Sequence, residues 1–184
     1  MNIFGLFDGQ KQFIKRLEQC QGRLHRLALS WCRNRALAED LAQEALSKAI
    51  AKSGQLRDLE AMDSWLFGIL ANCLTDHYRR YKEPLDIDEV DERHLVSEGT
   101  PEEECQQSQM IGRVRRAIAK LPVGQRQVVT LVDLEELSYI EVATILEIPV
   151  GTVMSRLCRA RQALKEILLE AKPALAASNI TRFK

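Results

Sequence analysis

Apolar residues along this chain recur every three or four positions, so the pattern predicts helices and no sheet. In residues 10–33, Phe13, Leu17, Cys20 or Gln21, Leu24, Ala28 and Trp31 share one side of a helix, and Asn34 breaks the pattern. A second helix over residues 36–52 turns Ala38, Leu41, Ala42, Ala45, Leu46, Ala49 and Ile50 inward, and Ser53 and Gly54 end it. A loop then leads to Asp63, a residue suited to cap a third helix. That helix has Leu66, Ile69, Leu70, Cys73, Leu74 and His77 on its apolar side and runs to Tyr81. The periodicity stops there. It resumes after Thr100, Pro101 and Glu103, which supply a cap, a first-turn proline and a carboxylate at the third position. The helix that follows runs to Lys120 and turns Met110, Val114, Ala117 and Leu121 inward; Leu121-Pro122 ends it. A valine-rich helix over 124–134 comes next.

The last two helical segments read as a helix-turn-helix. Ser138 and Glu141 form an S-x-x-E capping box that starts a short helix, in which Val142, Ile145 and Leu146 recur at helical spacing. Ile148 and Pro149 end it and re-aim the chain. In the helix after Pro149, Val153, Leu157, Ala160 and Leu164 fall within about 60° of one another and form the buried stripe. The opposite face carries Ser155, Cys158, Arg159 and Gln162, with Thr152 at its edge, and Arg156 and Arg161 flank it. A DNA major groove accepts such a face. Arginine forks onto guanine, glutamine onto adenine, and a helix N-terminus beside Thr152 suits a phosphate. Periodicity alone fits the solvated face of a helical hairpin equally well.

Composition narrows the class. With 46% hydrophobic residues but only 5% aromatic ones, the core is built from Leu, Ala and Ile on helices. No apolar run approaches the roughly 20 residues that span a bilayer, and the N-terminus lacks the features of a signal peptide, so a cytoplasmic protein without membrane insertion is expected. The formal net charge of zero hides an asymmetry. Residues 1–81 hold 12 Lys/Arg against 9 Asp/Glu, residues 82–104 hold 2 against 10, residues 105–172 hold 10 against 7, and the last twelve hold 2 against none. Two mildly basic blocks thus flank an acidic segment, which implies weak DNA affinity for the chain alone, because counterion release scales with the phosphates neutralised. The five cysteines form no CxxC and no metal-ligand spacing with His25, His77 or His94. Reduced, mostly buried thiols are expected, with no cofactor and no metal. Cys158 differs, because the wheel places it on the reading face.

The longer pattern decides between the two readings of that face. GTVMSRLCRARQALKEIL resembles the region 4 signature of extracytoplasmic-function sigma factors, GTV-x-SR-L-x-RAR-x-x-L, and LPVGQRQVVTLVDLEELSYIEVATIL resembles the rest of that region. DLAQEAL resembles the D-x-x-QE motif of sigma region 2.2, and WLFGILANCLTDHYRR resembles regions 2.3 and 2.4. The resemblance implies an all-α protein of two small helical domains: region 2 over 1–81 and region 4 over 105–172, joined by an acidic linker over 82–104 and followed by a tail over 173–184. It implies an alternative sigma factor without catalysis. Asp40, Gln43 and Glu44 would dock on the β′ clamp helices of core RNA polymerase, and the helix over 124–134 would help to meet the β flap. Asn72, Arg79 and Arg80 would hold the opened −10 strand. Thr152, Ser155, Arg156, Cys158, Arg159 and Gln162 would meet the −35 element. An anti-sigma factor is the further partner the family implies. Trp65 reads as structural.

The physical sense is sound, because melted bases need pockets and stacking partners and their backbone needs cations. The 23-residue linker spans at most roughly 75–80 Å when extended, but averages roughly 25–30 Å as a coil. Half-elements two DNA turns apart lie about 70 Å from each other, so the linker bridges them only if a partner holds it extended. Two departures from the pattern stand out. Glu147 occupies a turn position where glycine is common, and a left-handed backbone there would strain it. Met154 fills a variable slot that is often basic, and Cys158 fills another. A self-sufficient helix-turn-helix regulator would leave DLAQEAL and the WLFGILANC block without a role. A metal- or redox-dependent enzyme finds no phosphate loop, HExxH or nucleophile–base motif.

Overall fold

A computed structural model describes residues 3–56, 58–81 and 106–170, and every regular element among them is helical. The acidic segment, the start of the helix expected near Thr100 and the tail lie outside the described residues. Three helices make the first group: α1 (Ile3–Cys32), α2 (Arg35–Ala51) and α3 (Met62–Tyr81), with a 3-10 turn at Ser53–Gln55. Four make the second: α4 (Gln106–Ala119), α5 (Val123–Val129), which continues through a π-type turn at Thr130–Leu134, α6 (Tyr139–Leu146) and α7 (Val150–Glu170).

The first group is built as its periodicity predicts. Phe13, Leu17, Cys20, Leu24, Ala28 and Trp31 are all buried. Arg33 turns left-handed, and Asn34 caps α2 by accepting the Leu37 N–H at 3.1 Å. On α2 the small residues Ala38, Ala42, Ala45 and Ala49, together with Leu41, form the buried stripe, which lets α1 and α3 approach closely. Three local expectations fail. Ile50, in the last turn of α2, is 58% exposed. Met110 is 54% exposed on α4. Asp63 is not the cap of α3, which starts one residue earlier. Its carboxylate instead accepts from Arg23 at 2.5 Å and from the Cys20 thiol at 3.1 Å, and it pairs with Arg16. A long-range charge partner outcompetes the local capping role.

The two groups share one apolar core. Trp31 of α1 is fully buried, and its indole N–H donates to Thr130 Oγ1 at 2.8 Å. Thr130 is fully buried too, and its hydroxyl donates back to the Arg126 carbonyl at 2.7 Å. Beside this junction Arg23 bridges Asp63 and Glu135, and its guanidinium lies over the Phe67 ring, 5.3 Å from the centroid. Helix α3 packs against α1, α2 and α6, so it is covered on more than one side. That explains why Met62, Phe67 and Ala71 are buried besides the stripe that the wheel assigns.

Trp31 and Thr130 generate a stability prediction. Thr130→Val keeps the side-chain shape but leaves a buried indole N–H without its acceptor, which costs about 1–3 kcal/mol. Thr130→Ser, which keeps the hydroxyl, costs less. Urea unfolding of the two variants measures the difference; equal losses would show that the hydroxyl does not matter.

Candidate nucleic-acid interface

Helix α6 is held at both ends. At its start Glu141 N donates to Ser138 Oγ at 3.3 Å and Ser138 N donates to Glu141 Oε2 at 2.8 Å, which completes the capping box. The Ser138 hydroxyl also donates to Glu141 Oε2 at 2.7 Å, and this bond foremost, together with that from the Ser138 N–H, lowers the Glu141 pKa below its ordinary value. At its end Glu147 adopts φ 54 and ψ 41, and the Ile148 N–H returns to the Ala143 carbonyl at 3.1 Å. The turn is therefore the left-handed one that glycine ordinarily fills, made here by a glutamate at the cost of strain. Its carboxylate accepts from Asn72 Nδ2 of α3 at 3.3 Å.

Helix α7 divides as the wheel predicts. Val153, Leu157 and Ala160 are buried and Leu164 is half-buried. Ser155, Cys158, Arg159 and Gln162 are exposed, and Thr152 and Arg156 are half-buried at the margins. Arg159 Nε donates to the Ser155 carbonyl at 3.4 Å. Gln162 donates to Glu166 at 2.6 Å. Arg161 is committed elsewhere: it makes two bonds to Asp133, at 2.6 and 3.2 Å. Gly151, on the first turn, would meet nothing within 4 Å if it carried a Cβ, so packing inside the protein does not require a glycine there.

The remaining candidate residues lie on α2 and α3. Asp40 and Gln43 are exposed and Glu44 is half-buried. Glu44 pairs with Lys48 at 2.9 Å and with Arg80 at 3.6 Å, which joins the residues expected to meet polymerase to one expected to meet DNA. Arg79 bonds Asp76 at 2.8 Å, and Asn72 is exposed beside the α6–α7 turn. Trp65 packs edge-on against Phe13, with ring centroids 6.5 Å apart. The contacts of Arg23 with Glu135 and of Arg161 with Asp133 carry no signal in the sequence, because their partners lie 112 and 28 residues away.

The thiols are placed for packing. Burial pushes the Cys20 thiol up to about 11, and the Asp63 carboxylate adds to the shift. Burial also raises Cys32 and Cys73. Cys158 is the exposed one among the described cysteines. Among the described residues no three His, Cys, Asp or Glu side chains come together in a way that could hold a metal ion. No described helix is long and apolar enough to cross a membrane.

With this geometry in hand, the chain can be set beside known proteins. The family model described as Sigma-70 region 2 matches residues 17–83, and the one described as Sigma-70, region 4 matches residues 111–164. The chain is 36% identical over 140 residues to the RNA polymerase sigma-H factor of Pseudomonas aeruginosa, covering 71% of this chain and 72% of that protein. It is 31% identical over 168 residues to the ECF RNA polymerase sigma factor SigW of Bacillus subtilis, covering 86% and 90%. Among solved structures, the sigma factor RpoE of Bartonella quintana, in complex with the anti-sigma factor NepR, superimposes with a TM-score of 0.66 at 27% identity, covering 89% of this chain and 99% of that one.

The strained turn yields a second prediction. Glu147→Gly removes the left-handed penalty but adds backbone freedom to the unfolded chain, for a net gain of roughly 0.5–1 kcal/mol. Thermal melts check this; a loss of stability would mean that the Asn72 contact outweighs the strain.

Proposed function

The chain belongs to the sigma-70 family of RNA polymerase sigma factors, in its extracytoplasmic-function group, and from that premise we propose how its surfaces divide the work of promoter recognition. It is an alternative sigma factor. It binds core RNA polymerase, directs initiation to promoters with −35 and −10 elements, and is not an enzyme.

In our reading, Ser155, Arg159 and Gln162 face the bases of the −35 element, with Cys158 between them. Thr152 and Arg156 hold the flanking backbone. The observation that carries this is the division of α7: a buried apolar back and an exposed polar front, on a helix fixed by a capped helix-turn-helix. Gly151 adds support, because its missing side chain leaves room for a phosphate to approach the first turn. Asn72, Arg79 and Arg80 serve the opened −10 strand from the far half of α3. Asp40, Gln43 and Glu44 serve the polymerase clamp from the exposed side of α2. The boundaries 1–81 and 105–172 for the two regions, with 82–104 as tether, follow from the same reading. We place the work in the cytoplasm, where polymerase and promoter meet. An anti-sigma factor fits as regulator, on the support of the RpoE–NepR complex.

The test is run-off transcription with purified core RNA polymerase, with and without this protein, on a library of promoter fragments. Initiation that depends on the protein reveals its promoter. On that promoter Arg159→Ala costs roughly 1–3 kcal/mol of recognition, because a forked contact to a base edge is lost. Gly151→Ala weakens −35 binding while leaving thermal stability unchanged or higher, since alanine favours helix. Unchanged transcription in both variants would remove α7 from the −35 element.

A further inference from the structure

On the Arg161 side of the α7 front, two neighbouring side chains in the first turns are uncharged. Met154 is 53% exposed, and Cys158, one helical turn later, is exposed beside it. Their spacing of four residues puts them on the same side of the helix. The buried stripe of Val153, Leu157 and Ala160 turns away from them. On one flank stands Arg161, already bound twice to Asp133. On the other flank stand the polar side chains of Ser155 and Arg159. Two sulfur side chains with little hydrogen-bonding power thus occupy part of a surface that, on the reading above, lies in the major groove.

Groove chemistry limits what such a pair can read. The edges of guanine, adenine and cytosine offer only donors and acceptors there. A thioether laid on them would displace water and return no hydrogen bond. Thymine alone presents an apolar group, its C5 methyl. Four residues of helix rise roughly 6 Å, against a base step of about 3.4 Å. The two side chains therefore address positions no more than about two steps apart. Methionine is flexible enough to follow a methyl group whatever the tilt of the helix. We propose that Met154 and Cys158 select thymine in the −35 element by contact with its C5 methyl, next to the position read by Arg159. The proposal rests on α7 being the −35 reader.

The experiment uses holoenzyme assembled from the full chain and core RNA polymerase, on promoter duplexes selected from a pool with a randomised upstream element. Each thymine under the −35 footprint is replaced in turn by deoxyuridine, which removes the methyl and nothing else. At one or two positions the wild-type holoenzyme should lose about fourfold in affinity, the worth of one buried methyl-sized group. Met154→Ala or Cys158→Ala should bind the two bases equally at its own position, read as the ratio of each variant's affinities for the thymine and deoxyuridine duplexes. Tolerance of deoxyuridine at every position, or a selected element with no A·T pair under the footprint, overturns the proposal. Absence of any −35 footprint with the wild-type holoenzyme overturns the assignment of α7 itself, and this inference with it.

Discussion

The indole N–H of Trp31 is the constraint on which the arrangement of the helices turns. Trp31 is the largest fully buried side chain, and a buried N–H without an acceptor costs about 1–3 kcal/mol. Its acceptor is Thr130, 99 residues further along the chain and in the other helical group. Satisfying that donor draws the π-type turn after α5 onto α1. Arg23 then stands within reach of both Asp63 and Glu135, and α6 comes to lie on α3. The packing of the two groups thus rests on their shared apolar core and on the polar contacts across it, of which the Trp31–Thr130 bond is the fully buried one, where misplacement is penalised more than it would be on the surface.

Elements whose stability is local were legible in the sequence. The stripe of α1, the capping box of α6 and the strain at Glu147 all depend on residues within about one helical turn, and the structure has each of them. Features that depend on contacts between the groups were not legible. Phe67 and Met62 are buried because other elements cover sides of α3 that a single stripe leaves open. Asp63 left its cap for arginines on α1 that no local rule connects to it. The candidate surfaces show the same division. Exposure of Ser155 and Arg159 followed from periodicity, but periodicity does not separate a face that meets DNA from one that meets water. The whole SR-L-x-RAR string pointed to the family, and the DNA-facing role of that face is proposed from it.

The charges on these surfaces are mostly engaged inside the protein. Arg79 is paired with Asp76, Arg80 with Glu44, and Arg161 with Asp133. Exposed pairs of this kind are worth about 0–1 kcal/mol each, so a phosphate can displace the carboxylate at little cost. The same pairs cancel much of the positive field that would otherwise draw DNA from a distance, as does the zero net charge. A protein built this way relies on a partner to bring it to the promoter. The pair of Arg80 and Glu44 spans the surface assigned to polymerase and the surface assigned to the −10 strand. A polymerase group that engages Glu44 leaves Arg80 without that partner and available to a phosphate.

Distance shows what else the partner must do. Asn72, assigned to the −10 element, lies 3.3 Å from Glu147, which sits at the turn leading into the −35 reader. Promoter half-elements two DNA turns apart are separated by about 70 Å. One conformation cannot have these residues in contact and also engaged with elements so far apart. On the assignments proposed above, the groups part before both elements are read, and parting them breaks the Trp31–Thr130 bond and the Arg23–Glu135 pair. The acidic segment permits the separation, since its 23 residues reach roughly 75–80 Å, but only when nearly extended. A random coil of 23 residues averages roughly 25–30 Å. On that reading, binding to polymerase offsets the lost junction and the extension of the proposed tether, which makes core polymerase the agent that converts two helical groups into a promoter reader.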